Sequence, residues 1–162
     1  MVVWSGKRVA QHVSQPPAVK INPNGVDIGV SEVWMFHPDS VSTLKGSERT
    51  VSHDKQRILP DAEGFYNLRQ GTYEVRLANQ ISVPPNAIGR GFPRSSLNRL
   101  GMLKAPAAVW DSGYSGFSTQ TVYVPIRMFR IHKDEPWLQF TLEDGEPSDV
   151  SYRGHWQNER PL

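Results

Sequence analysis

Two short segments carry the residue types that could do chemistry. PRSSLNRLG, residues 93–101, sets an arginine beside two hydroxyls and a turn-forming glycine, and VWDSGYSG, residues 109–116, sets one carboxylate ahead of a pair of glycines. Arg94, Ser95, Ser96 and the backbone N–H groups of such a turn offer charge-assisted and neutral donors to a single anion, which is what phosphate oxygens require. The same letters also read as a serine N-cap with a surface arginine. Asp111 could orient and deprotonate a water, with Tyr114 stacked on a sugar or base. Its competing reading is an Asx-turn.

The elements that must position these residues are strands. Thirteen prolines and thirteen glycines are spread along 162 residues and divide the chain into short segments, a pattern of strands and turns rather than long helices. Residues 4–13 form the exception, a short helical segment with Ser5 as N-cap and Pro16 and Pro17 ending it. Val26, Ile28 and Val30 alternate with polar or small residues, as do Tyr73, Val75 and Leu77, then Val122, Val124, Ile126 and Met128. Residues 37–64 read as a polar surface excursion with a strand or two. The expectation is one all-β domain of short strands over residues 1–150, a sandwich or barrel, followed by a polar, mobile tail over 151–162.

Composition narrows the function classes. The chain has no cysteine, so disulfides and thiolate zinc sites are excluded. His12, His37, His53, His132 and His155 show no paired metal-ligand spacing. With 18 basic and 16 acidic residues the formal charge is +2, too small to indicate nucleic acid as a partner. No signal-peptide pattern and no run of eighteen apolar residues appears, so the expectation is a cytoplasmic protein without a membrane partner.

Taken in order, NGVDIGV (24–30), PRSSLNRLG, VWDSGYSG and WLQF (137–140) resemble the motifs of the dUTPase and dCTP deaminase superfamily. The resemblance covers about residues 20 to 157, and the second and third motifs are its most specific part. It implies a distorted jelly roll or β-barrel that assembles as a homotrimer, with sites between subunits. It also implies a pyrimidine deoxynucleoside triphosphate substrate accompanied by Mg²⁺, the ion being carried by the triphosphate. By this resemblance Arg94, Ser95, Ser96, Arg99 and Gln139 hold phosphates. Asp111 fixes the 3′-hydroxyl and the catalytic water. Trp110, Gly113, Tyr114, Thr119, Gln120 and Thr121 surround the nucleoside, with Tyr114 under the deoxyribose. Asp27 receives no role, and its alternative is a turn-capping aspartate after Asn24 and Gly25.

The choice between hydrolysis and deamination turns on Thr121. The deaminase branch carries a glutamate five positions after the second hairpin glycine, and counting from Gly116 in GFSTQT reaches Thr121. A hydroxyl cannot shuttle protons near neutral pH. Phosphoanhydride hydrolysis asks only for masked phosphate charge, an aligned water and a carboxylate, which Asp111 supplies. The expected reaction is therefore dUTP to dUMP and pyrophosphate. The alternatives are dCTP deamination, alone or combined with hydrolysis, and a non-catalytic nucleotide-binding protein. The ending YRGHWQNERPL resembles the deaminase-like form Y-x-G-K-Y-Q-x-Q, with His155, Trp156 and Glu159 as departures. Trp156 could stack on the base as the tail closes, and Arg153 or Arg160 could reach phosphate.

Overall fold

The computed structural model describes residues 2–14, 20–50, 54–104, 109–147 and 149–160. A helical turn, α1 (Gly6–Val9), runs into a 3₁₀ turn (Ala10–His12) and buries Val9 and Val13. Ser5 precedes it with extended backbone but makes no side-chain capping bond. The prolines expected to end this segment lie outside the described residues.

The strands are β1 (Lys20–Ile21), β2 (Val26–Ile28), β3 (Val30–Phe36), β4 (Thr43–Lys45), β5 (Glu48–Thr50), β6 (Lys55–Ile58) and β7 (Phe65–Leu77). They continue with β8 (Ile81–Ser82), β9 (Ala87–Pro93), β10 (Leu103–Lys104), β11 (Ser115–Gly116), β12 (Thr119–His132) and β13 (Leu138–Asp144). One short helix, α2 (Ser95–Arg99), follows β9. No helix among the described residues is long and apolar enough to cross a membrane.

Two antiparallel sheets make the body, one in the order β1-β2-β13-β9 and the other β10-β12-β7-β3-β6. Neither closes on itself, so the architecture is an open jelly roll rather than a closed barrel. Against the expectation of short strands, β7 and β12 have 13 and 14 residues and pair along most of their length. Their register shifts between Val124 and Met128, at Pro125, which has no N–H to give to the ladder.

Alternation places Val122 and Val124 of β12 with Tyr73 and Val75 of β7 on the buried face of the second sheet. Ile28, Leu138, Phe140 and Leu142 fill the core of the first, together with Trp4, Trp110 and Tyr114. The opposite face of the second sheet carries Glu32, Glu74, Arg76, Thr119 and Thr121, which the register sets side by side. Residues 37–50 and 54–64 contain the exposed β4–β5 hairpin and the edge strand β6, three strands where the sequence suggested one or two.

Candidate active site

A cavity of about 300 Å³ opens beside the turn that carries Asp111. Its lining includes Asp111, Tyr114, Ser118, Thr119, Gln120 and, from the tail, Trp156 and Glu159. The turn is fixed from both sides. Trp110 exchanges two backbone hydrogen bonds with Gly89 of β9, each 2.9 Å, while Val83 donates to the Tyr114 carbonyl (2.8 Å) and accepts from the Gly113 N–H (2.9 Å). The expected hairpin is therefore a turn strung between two strands, with β11 pairing to β8. Gly113 has φ +85°, a left-handed conformation that glycine adopts without strain.

The polar floor of the cavity is built from side chains that lock one another. Ser118 Oγ accepts from Trp110 Nε1 (3.0 Å) and from Gln120 Nε2 (3.2 Å), and Gln120 Nε2 also donates to the Thr119 carbonyl (2.7 Å). Gln120 is only 5% exposed, and its Oε1 has no hydrogen-bond partner. A buried acceptor left unpaired costs free energy, so this oxygen suits a group that brings its own N–H or O–H. Burial pushes the Tyr114 hydroxyl up to about 12, so the ring stands in the wall as a neutral phenol.

A second cluster sits at the far end of β9. Arg94 precedes α2, and its Nε lies 3.1 Å from Asp27 Oδ2 while its Nη1 donates to the Pro136 carbonyl at 3.1 Å. Asp27 is buried and its other oxygen accepts from Asn22 Nδ2 at 2.7 Å. This clamp was missed in the sequence, because the partners lie 67 residues apart. Gln139 is Asp27's neighbour across the β13–β2 ladder, and it donates from Nε2 to the Asn24 carbonyl. Ser95, Ser96 and Arg99 stand exposed on α2.

The expected site residues thus fall into two groups. Asp111, Trp110, Tyr114, Thr119, Gln120 and Trp156 share the cavity, with Gly113 in the turn beside it, whereas Arg94, Ser95, Ser96, Arg99 and Gln139 gather elsewhere. Gly89, which bridges to Trp110, and Arg94 are five strand residues apart, about 16 Å at the usual rise. Thr121 is exposed and lines a different groove with Gly71 and Thr72; it is on the face opposite Gln120 and, although it shares the face of Thr119, lies two residues farther along β12. Arg153 is exposed and does not line the cavity. Among the described residues, no group of three or more His, Asp or Glu side chains is placed to hold a metal ion.

The tail, expected to be mobile and unable to bury a face, is docked. The Tyr152 N–H donates to the Ser112 carbonyl (2.9 Å), the Asn158 N–H to the Ser115 carbonyl (2.8 Å), and the Phe117 N–H to the Glu159 carbonyl (2.8 Å). The Gln157 side chain completes the seam, accepting from the Ser115 N–H and donating to the Gly113 carbonyl. Glycine makes this approach possible, since a Cβ on Gly116 would come 3.0 Å from the Glu159 nitrogen and 2.9 Å from the Tyr114 hydroxyl. Sequence reasoning missed Glu159 as a cavity residue. The signal was present in its departure from the expected glutamine.

Comparison with known proteins agrees with this architecture. The dCTP deaminase-like family model matches residues 4–145. A probable deoxyuridine 5′-triphosphate nucleotidohydrolase of Halobacterium salinarum is 30% identical over 161 residues, covering 96% of this chain and 93% of that protein. A dUMP-forming dCTP deaminase of Persephonella marina is 26% identical over 145 residues, covering 88% and 81%. In fold, the chain is similar to the crystal structure of 2′-deoxycytidine 5′-triphosphate deaminase from Agrobacterium tumefaciens, with a TM-score of 0.67 at 13% identity, covering 88% of this chain and 48% of that one.

Proposed function

The chain belongs to the dCTP deaminase-like family, and we propose that within it the protein hydrolyses dUTP to dUMP and pyrophosphate. The observation that carries this reading is the position of Asp111. It is an exposed carboxylate at a cavity walled by Tyr114 and floored by Gln120, while Thr121, where the deaminase branch carries its glutamate, faces another groove. A water held by Asp111 would lose its proton to the carboxylate as its oxygen bonds to the α-phosphorus, and the α–β bridging bond breaks to release pyrophosphate. Tyr114 would pack against the deoxyribose, and the Gln120 Oε1 would accept from the bound nucleoside.

Arg94, fixed by Asp27, would hold phosphate oxygens with Ser95, Ser96, Arg99 and Gln139. Mg²⁺ would arrive on the triphosphate and mask its charge. The separation of the two clusters on one chain supports a site completed by a second copy, with the homotrimer as the assembly we propose. One subunit would then contribute Asp111 and Tyr114 and its neighbour Arg94.

A second reading, deamination of dCTP, is favoured by Glu159. Its carboxylate lines the same cavity, and burial raises its pKa, so it is a titratable group where Thr121 supplies none. Incubation with Mg²⁺ and either dUTP or dCTP, with products separated by ion exchange, tests both. Formation of dUMP and pyrophosphate from dUTP alone supports the hydrolase. Conversion of dCTP overturns that restriction, and no turnover of either nucleotide leaves a binding protein.

A further inference from the structure

Arg76 lies outside every motif that points to nucleotide chemistry, yet it is only 7% exposed, and Glu32 beside it on the same sheet face is 5% exposed. Its Cα partners in the sheet are Glu32 on one side and Thr119, a residue of the cavity wall, on the other. The Arg76 Nε lies 3.3 Å from Glu32 Oε2. Glu32 is itself held in place, accepting from Trp34 Nε1 at 3.3 Å and lying 4.0 Å from Arg57 Nη2. The neighbouring carboxylate, Glu74, is engaged by Lys55 at 2.8 Å. One end of the guanidinium is thereby held in the sheet by charge, its Nε making no hydrogen bond.

The other end faces the tail. Arg76 Nη1 donates to the carbonyl of Arg160 and lies 3.6 Å from Glu159 Oε1. Both belong to the docked segment where it passes Thr119, to which Glu159 hydrogen-bonds. A buried cation with a fixed carboxylate behind it has donors in front that must be satisfied, and the tail supplies the acceptors.

We propose that Arg76 is a positioning residue that fastens residues 152–160 over the cavity, so that Trp156 and Glu159 belong to its wall before a nucleotide arrives. Fastening in advance removes the ordering cost that a free tail would meet on each binding event. Its consequence for turnover rests on the hydrolase reading, whereas the docking itself does not.

The test compares wild type with Arg76→Met by amide hydrogen exchange at Tyr152, Phe117 and Asn158, whose N–H groups bond across the seam. Because Arg76→Met removes the nearest cation from the buried Glu32, the double variant Glu32→Gln/Arg76→Met is measured beside it. The expected result is exchange faster by about tenfold or more at these three amides, with the β7–β12 ladder unchanged. Steady-state assays with dUTP should show KM raised more than kcat is lowered. Seam amides protected as in wild type in the folded double variant would overturn the proposal, as would equal acceleration of the ladder, which would assign Arg76 to the sheet alone. If the seam opens in a protein that turns over no dUTP, the fastening stands and the hydrolase reading is what falls.

Discussion

Asp27 and Arg94 form a clamp between β2 and the start of α2, with Nε to Oδ2 at 3.1 Å and the carboxylate buried. The aspartate that the sequence left without a role therefore aims the arginine expected to meet phosphate. Asp27→Asn keeps the size and removes the charge. Loss of one charge-assisted contact of about 1.5–3 kcal/mol corresponds to about a 10- to 100-fold fall in kcat/KM for dUTP. Steady-state kinetics should place most of it in KM, and an unchanged KM would separate Asp27 from phosphate binding.

Asp111→Asn removes the proton acceptor and leaves the turn, which is held by backbone bonds to Gly89 and Val83. Turnover should fall by about 10²–10⁴-fold. Calorimetric titration with dUTP should still report binding, because the aromatic wall and the phosphate cluster are untouched. Turnover near the wild-type rate would remove Asp111 from the chemistry.

Gln120→Met offers a test that separates stability from function. It replaces a buried amide whose Oε1 has no partner in the free protein. Relief of the unpaired acceptor is set against loss of the Nε2 bonds to Ser118 Oγ and the Thr119 carbonyl, so the two changes offset and Tm should stay within a few degrees of wild type. The same change should raise KM for dUTP, since the acceptor offered to the nucleoside is gone. An unchanged KM would remove Gln120 from nucleoside binding.

The docked tail should respond to pH through Glu159. Burial is the main cause of its raised pKa, opposed by Arg76 and by hydrogen bonding to Thr119, with Glu74 adding to the rise. The docked state therefore holds this proton more tightly than a free tail does. Docking gains stability that is fully present below the ordinary value of 4.5 and is lost as pH rises through the docked-state value. NMR measurement of tail opening from about pH 4 to 8 should show opening increase with pH, and Glu159→Gln should flatten that slope. An opposite slope would mean that the attraction to Arg76 outweighs burial.

Gly116→Ala probes the same seam from the hairpin side. Its Cβ would collide with the Glu159 nitrogen and the Tyr114 hydroxyl. Limited proteolysis should then cleave within residues 152–160 faster than in wild type, while the β12–β7 ladder stays protected. Equal resistance to cleavage would show that the tail passes Gly116 with more room than the structure gives it.

The class of fold was legible in the sequence, and so was the grouping of residues within each motif. Period-two alternation at Tyr73, Val75 and Leu77 of β7 and at Val122 and Val124 of β12 is a local property of strands with one buried face, and so it is legible in one dimension, whereas Ile126 and Met128, expected to continue it, stand exposed across the register shift. The motif segments were legible for a related reason. Asp111 and Tyr114 lie in one turn, as do Arg94, Ser95 and Ser96, so their spacing along the chain preserves their spacing in space. The tertiary structure alone decided how these groups relate to one another. Thr121, opposite in face to Gln120 and two residues along β12 from the cavity-lining Thr119, falls in another groove, and about five residues of β9 separate the Asp111 turn from Arg94. It alone paired Asp27 with Arg94, and Arg76 with the end of the tail. Each of these pairings joins residues distant in sequence through sheet register and backbone hydrogen bonds, which composition and periodicity do not encode. The tail read as mobile because it has no apolar face of its own. It docks instead through main-chain bonds to residues 112–117, and those bonds are available only once the turn has been folded against Val83 and Gly89.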